Sequence, residues 1–179
     1  EGIRPFRYTS LPDATTPPPA QTHVDDSDWA VIEPGSYWGE WRTNFVLRSR
    51  FQIPADWAGE QVAITLPLGN AGEWFGHPEA LVFVDGSPHA GCDRFHQEIW
   101  LDPAWNDRKP HTLALHGWTG NGVDAFTRLL MRPCELVIID QPTRDFVALA
   151  RVTLNVVEHL ETAHPAHSHL LNGLDAAFR

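Results

Sequence analysis

The chain has 179 residues, of which 42% are hydrophobic and 20% are charged, a balance typical of a globular protein with its own core. A formal net charge of −10 without any basic cluster argues against a nucleic-acid partner. Two cysteines are too few for a disulfide framework, and no apolar run is long enough to cross a membrane, so the sequence predicts a cytoplasmic protein without a membrane partner.

The first predicted unit is an extended N-terminal arm at residues 1–34, which are rich in Pro, Thr and Asp. The run "TPPP" at Thr16–Pro19 favours polyproline geometry, which suits a segment lying along a neighbouring surface. Trp29 is a candidate anchor for this arm. An N-terminal leader without a structural role is the alternative.

Residues 35–141 form the second predicted unit, in which apolar and polar side chains alternate with the period of a β-strand. The predicted strands cover residues 45–53, 62–68, 81–84, 88–90, 96–101, 111–116 and 129–139, the last interrupted at Pro133. Asp85-Gly86 is a strong signal for a tight turn. Short, evenly spaced strands between turn signals predict an antiparallel β-sandwich of jelly-roll type.

The third predicted unit is a helical connector at residues 142–179. Apolar side chains between Phe146 and Leu160 fall on one face of a helix, for which Thr143 is the predicted N-cap. A second helix is predicted to begin at Ser168 and to run to the end of the chain, which indicates that the structure continues beyond it.

Two histidine-containing groups imitate a metal site. His89, Cys92, Asp93 and His96 have the spacing H-x2-C-D-x2-H, and zinc accepts all four residue types as ligands. An extended segment sends alternate side chains to opposite faces, however, so we expect no metal site there. A further group lies in the polar break between the predicted helices and is interpreted as a solvated linker: His164, His167 and His169.

Carboxylates also cluster in the predicted sandwich: Glu73, Glu79, Asp85, Asp93 and Glu98. Glycoside hydrolysis needs two carboxyl groups at a fixed separation, and no sequence feature pairs any two of these. Nucleophile-elbow, phosphate-loop and dinucleotide-binding motifs do not occur. We therefore expect no catalytic residue, metal or cofactor in this chain.

Three loops place tryptophan beside polar groups: "WGEW" with Trp38 and Trp41, "GEWFGH" with Trp74 and His77, and "HGWTGNG" with Trp118. Aromatic faces with a few hydrogen-bonding groups suit a carbohydrate, so a carbohydrate-binding module is one hypothesis. Docking on another domain uses the same residue types and is the preferred interpretation.

Several segments in a fixed order carry a family resemblance: "GSYWGEWRTNFVLRSRFQIPADWAGEQ", "ALVFVDGSPHAGCDRFHQEI", "LALHGWTG" and "LLMRPCELVIIDQPTRDFVALARVTLNVV". Over residues 35–179 the chain resembles the N-terminal region of the cytosolic and vacuolar type of α-mannosidases, glycoside hydrolase family 38. The segment "FQIPADWAGEQV" followed by "VFVDGSP" also looks like the galactose-binding-domain-like jelly rolls of other multidomain glycosidases. One lysine against twelve arginines indicates a bacterial source.

The resemblance implies a division of labour. In that family a downstream catalytic domain holds zinc in a segment resembling "GHxHIDxAWLW" and supplies an aspartate nucleophile; "AHSHLLNGLDAAF" at residues 166–178 lacks the AWLW part. The chain is therefore expected to be a non-catalytic domain that contacts its own catalytic domain and contributes to a homo-oligomer. The alternatives are a carbohydrate-binding module with a mannoside ligand and a protein-interaction module whose C-terminal helices pair between chains. Asp93, Arg94 and His96 are the first candidates for the contact with the catalytic domain, with a buried structural network as the alternative.

Overall fold

The computed structural model describes residues 1–69, 77–120 and 128–179, which form two compact units, Glu1–Ile138 and Ile139–Arg179. The strands of the first unit are β1 (Gly2–Ile3), β2 (Phe6–Leu11), β3 (Ala30–Ile32), β4 (Tyr37–Trp38), β5 (Asn44–Phe51), β6 (Val62–Thr65), β7 (Glu79–Val84), β8 (Ser87–Cys92), β9 (Glu98–Trp100), β10 (His111–Trp118), β11 (Leu129–Leu130) and β12 (Cys134–Ile138). The second unit contains α1 (Gln141–His159) and α2 (Pro165–Ala177).

The first unit is an antiparallel β-sandwich, as the sequence predicts. One sheet has the strand order β1-β12-β6-β9 and the other has the order β3-β2-β5-β10-β7-β8; β4 and β11 form a short ribbon. Side chains that alternate along the strands fill the space between the sheets. In β7, for example, Val82 and Val84 are buried whereas Leu81 is exposed, and Ile99 of β9 lies in the same core.

The N-terminal segment differs from the predicted arm, because residues 1–34 supply strands to both sheets. β1 pairs with β12, and β2 pairs with β5. Between β2 and β3 the chain runs beside the buried Arg48, whose guanidinium donates to the carbonyls of Pro19 and Gln21 and to Asp26 at 2.8 Å. These contacts attach the proline-rich segment to β5. Local periodicity missed β1 because its partner lies more than a hundred residues away in sequence.

Both helices of the second unit begin before the predicted caps. Asp140 accepts a hydrogen bond from the Thr143 amide at 3.1 Å and is the N-cap of α1, so the expected cap is itself inside the helix. His164 accepts from the Ala166 amide at 3.2 Å and caps α2, in place of Ser168. A proline occupies the first turn of each helix, where the missing amide hydrogen costs nothing.

Candidate functional site

Trp38, predicted to lie in an exposed loop, is a core residue. Its side chain is 2% exposed, and its indole Nε1–H donates to the carbonyl of Leu68 at 3.0 Å. Tyr8 and Phe45 pack edge-to-face against it, with ring centroids 5.9 and 5.1 Å away. A ring enclosed on these sides has no face left for a sugar or another domain. This part of the prediction is wrong, because the burial of Trp38 depends on neighbours from three other segments of the chain.

His77 is also buried, and its contacts are structural. Its Nδ1 lies 2.7 Å from the carbonyl oxygen of Pro78, and its Nε2 lies 3.2 Å from the amide nitrogen of Leu68. Burial lowers the pKa of His77, so the neutral imidazole donates at one nitrogen and accepts at the other. The histidine therefore joins the start of β7 to the segment after β6. Trp74, its predicted companion, lies outside the described residues.

The segment Asp93–His96 forms a tight turn between β8 and β9, and the side chain of Asp93 stabilises this turn by hydrogen bonds. Asp93 Oδ1 accepts from the amides of Phe95 and His96 at 2.7 and 2.8 Å, and it also lies 2.9 Å from His96 Nδ1. Partial desolvation opposes ionisation of Asp93, but these hydrogen bonds outweigh it and lower its pKa. This network is exposed, so the alternative of a buried network does not apply.

The turn presents Phe95 at its tip. The phenyl ring is 74% exposed, and the Arg94 guanidinium stacks over it with Cζ 4.6 Å from the ring centroid. Asp93 and His96 thus shape the turn, whereas Arg94 and Phe95 form its outward surface. An exposed aromatic beside an arginine is the residue pair that protein interfaces favour.

Among the described candidate tryptophans, Trp41 and Trp118 reach the surface. Trp41 lies in a turn with the Arg42 guanidinium stacked on its ring, 4.4 Å from the centroid. Trp118 ends β10 and is half-buried at the edge of an open cavity of about 820 Å³. This cavity, the Trp118 groove, is lined among others by Asn44, Glu79, His96, Trp100, His116 and Trp118.

The described cysteines and histidines have structural surroundings and are not grouped as metal ligands. Cys92 and Cys134 are free and buried, and burial raises the pKa of each thiol to about 12, which removes thiolate chemistry. Within residues 1–69, 77–120 and 128–179, no three His, Cys, Asp or Glu side chains are grouped as ligands for a metal ion. His89 and His96 have other partners, the Trp100 carbonyl and Asp93 respectively.

The helical unit carries a second candidate surface, which we term the α1 outer face: Leu149, Val152 and Val156. The first two side chains are 67% and 60% exposed, while Ala150 and Val157 on the other side of the helix are buried. The rings of Phe146 and Phe178 stack edge-to-face at 5.1 Å and link the two helices. No helix in the described ranges combines the length and apolarity needed to cross a membrane.

The fold resembles sandwich regions within solved glycoside hydrolases, whereas no protein-family model and no curated protein matches the chain. A β-glucuronidase from Bacteroides uniformis matches with a TM-score of 0.56 and 17% identity over 78% of this chain and 18% of its own. A family 2 glycosyl hydrolase from Bacteroides cellulosilyticus matches with 0.53 and 17%, over 75% and 20%. A β-glycosidase from Bacteroides vulgatus matches with 0.50 and 15%, over 76% and 19%.

These similarities establish the architecture and no more. The chain spans about a fifth of the length of each solved structure, at an identity that carries the fold alone. The fold is thus a β-sandwich that also occurs within glycoside hydrolases of family 2. The named relatives do not include a family 38 α-mannosidase, so they lend that finer assignment no support.

Proposed function

We propose that this chain is a non-catalytic accessory domain of a glycoside hydrolase. One observation carries the proposal: the chain has a sandwich fold that glycoside hydrolases also contain, and several of its described aspartates serve turns or a helix cap. Asp85 and Asp93 hold turns, and Asp140 caps a helix. Paired carboxyl groups free to act as acid and nucleophile are what hydrolysis requires, and a second domain would have to supply them.

The finer proposal is that the parent enzyme is a bacterial, zinc-dependent α-mannosidase of family 38. The ordered sequence resemblance over residues 35–179 supports it. The similarity to β-glycosidases does not oppose it, because a shared sandwich at 15–17% identity does not determine which sugar the attached catalytic domain cleaves. Two free, buried thiols are consistent with a cytoplasmic location.

Within such an enzyme, two surfaces of this chain suit contact with the catalytic domain. The turn at Arg94 and Phe95 offers an exposed aromatic ring, and hydrogen bonds within the turn fix the backbone that carries it. The α1 outer face offers branched apolar side chains that water solvates poorly. We propose that the accessory domain uses both to position the catalytic domain, and that these contacts, rather than chemistry, are its contribution to turnover.

Hydrolysis of 4-nitrophenyl glycosides tests the assignment. The 179-residue chain should not hydrolyse the α-mannoside with added zinc, whereas the natural polypeptide that carries it should, and a chelator should abolish that activity. Turnover by the chain alone would refute the non-catalytic role. Hydrolysis of the β-glucuronide instead of the α-mannoside by the natural polypeptide would place it with the β-glycosidases.

The proposed interface has its own test in the natural polypeptide. Phe95→Ala should leave the melting temperature of the 179-residue chain unchanged, because the ring is exposed, yet it should lower glycosidase activity several-fold. Tyr37→Ala, which removes an equally exposed ring elsewhere in the sandwich, is the matched control. Equal activities of the two variants would exclude Phe95 from the interface.

A further inference from the structure

A row of side chains crosses the outer face of the six-stranded sheet in register. Trp118 of β10 lies directly opposite Asn44 of β5 on one side and Glu79 of β7 on the other. One step along, His116 lies opposite Leu81. Directly opposed residues of antiparallel strands have neighbouring side chains, so an indole is flanked by an amide and a carboxylate.

Gly117 fixes the side of the sheet on which this row lies. A Cβ atom at Gly117 would meet the Phe45 ring and the Ala80 side chain at 2.8 Å, so this position faces the core. Because successive residues of a strand point to opposite faces, His116 and Trp118 face outward, away from the core. Both residues line the Trp118 groove.

We propose that the Trp118 groove is a binding site for a neutral saccharide. An indole face packs against the C–H face of a pyranose ring, and adjacent amide and carboxylate groups pair with its hydroxyls. Asn44 and Glu79 stand at the two positions where such groups are needed. The groove volume of about 820 Å³ lies within the range of small-molecule sites.

A second tryptophan extends the same surface. Trp100 of β9 also lines the groove, is 39% exposed, and donates its Nε1–H to Glu98 at 2.7 Å. That hydrogen bond orients both the indole and the carboxylate. Two tryptophans with adjacent acidic groups in one cavity suit a ligand of more than one sugar unit.

The charge of the groove selects against acidic ligands. Its described lining residues include Glu79, Asp93 and Glu98 but neither lysine nor arginine. Burial lowers the pKa of His116, so this histidine adds no positive charge at neutral pH. Carboxylates accept hydrogen bonds from sugar hydroxyls, whereas they repel a uronate, sulfate or phosphate group. The site is therefore specific for uncharged saccharides.

This inference goes beyond the accessory role, because it requires no catalytic domain and holds for any enzyme to which the sandwich belongs. Its test measures equilibrium binding by the 179-residue chain, whereas the test of the proposed function measures glycosidase activity. Absence of binding would leave the glycosidase assignment standing, and an inactive natural polypeptide would leave the saccharide site standing.

Titration of the ¹⁵N-labelled chain with mannotriose, cellotriose and sodium glucuronate tests the site through the tryptophan indole resonances. At least one neutral trisaccharide should shift the Trp118 and Trp100 signals saturably at a concentration of the order of 1 mM, and glucuronate should not. Unchanged spectra up to about 20 mM of both trisaccharides would overturn the proposal. Comparable binding of glucuronate would overturn the claimed selectivity.

Variants locate the binding surface. Trp118→Ala should weaken trisaccharide binding at least about tenfold, Trp118→Phe should retain most of it, and Glu79→Gln should weaken it about threefold or more. Trp41→Ala, which removes a surface indole outside the groove, is the control. Should Trp118→Ala fail to fold, Asn44→Ala and Glu79→Ala test the flanking groups instead. Binding that survives the loss of these groups would refute the assignment.

Discussion

At the scale of single residues, His111 shows how polar groups hold the sandwich together. The buried imidazole lies 2.7 Å from Asp85 Oδ2 through Nδ1 and 3.1 Å from Asp107 Oδ1 through Nε2. Asp85 also accepts a hydrogen bond from the Thr112 amide and stands at φ 50° in the β7–β8 turn. Burial opposes protonation of His111, but the hydrogen bonds and charges of the two aspartates outweigh it and raise its pKa.

His111→Gln should therefore be more harmful in acid than in alkali. A raised pKa in the folded state means that the contribution of His111 is fully present below its unfolded pKa, about 6.5, and disappears as pH rises through its folded pKa. Urea unfolding should show a loss of about 1–3 kcal/mol near pH 5.5 and a smaller loss near pH 8.5. The depressed pKa values of His77 and His116 affect both proteins alike and cancel in the difference.

His96→Gln serves as the control, since the His96 side chain is 73% exposed and its ion pair with Asp93 is solvated. We expect a loss of less than about 1 kcal/mol for this variant at either pH. A loss at His111 that is equal near pH 5.5 and 8.5 would show that packing, and not the charged pair, accounts for its effect.

At the scale of elements, Gly117 determines how closely β10 approaches its neighbours. An added Cβ would overlap the Glu79 carbonyl oxygen and the Phe45 ring, so Gly117→Ala should push β7 away from β10. We expect a loss of about 1–3 kcal/mol in the free energy of unfolding. Gly91→Ala, in β8, meets no atom within 4 Å and should change stability by less than about 0.5 kcal/mol. Equal melting temperatures for the two variants would contradict this account.

The elements also show what the sequence can predict. The β7–β8 hairpin follows from local signals, namely the apolar run at residues 81–84 and the Asp85-Gly86 turn. Asp85 and Gly86 both adopt positive φ. β1 has two residues and pairs with β12, so no local pattern specifies it. Proline favours an early helix start, yet the predicted starts of both helices lay several residues late because their capping residues precede the apolar pattern.

The candidate site was predictable only in part for the same reason. Trp38 and Trp118 both stand beside glycine and polar residues in the sequence, but they differ in burial. Trp38 packs against Tyr8 and Phe45 in the core, whereas Trp118 faces outward from β10. The row of side chains in the Trp118 groove depends on strand register, which brings together Asn44, Glu79 and Trp118 from three separate segments. Composition can suggest an aromatic site, whereas topology selects its members.

At the scale of the whole molecule, the two units have different kinds of surface. The sandwich encloses a large cluster of apolar side chains between its sheets, and the chain as a whole carries a net charge of −10. The helical unit has few residues with which to enclose its own apolar side chains, because each of two packed helices covers only one face of the other. Apolar side chains therefore remain exposed along α1, and such a surface associates with another apolar surface when one is present.

The 179-residue chain should accordingly self-associate through the α1 outer face. Sedimentation equilibrium should show a mass that rises with concentration from about 5 to about 500 µM, the range in which modest apolar interfaces form. The double variant Leu149→Gln/Val152→Gln removes two highly exposed members of that face and should keep the chain monomeric, with α1 intact by circular dichroism. Val31→Gln changes an exposed apolar residue of β3 and should associate like the parent chain. A monomeric mass for the parent chain at every concentration would contradict self-association through the α1 outer face. Association that persists in the double variant would place the contact on the sandwich, where the Arg94–Phe95 turn becomes the next surface to alter.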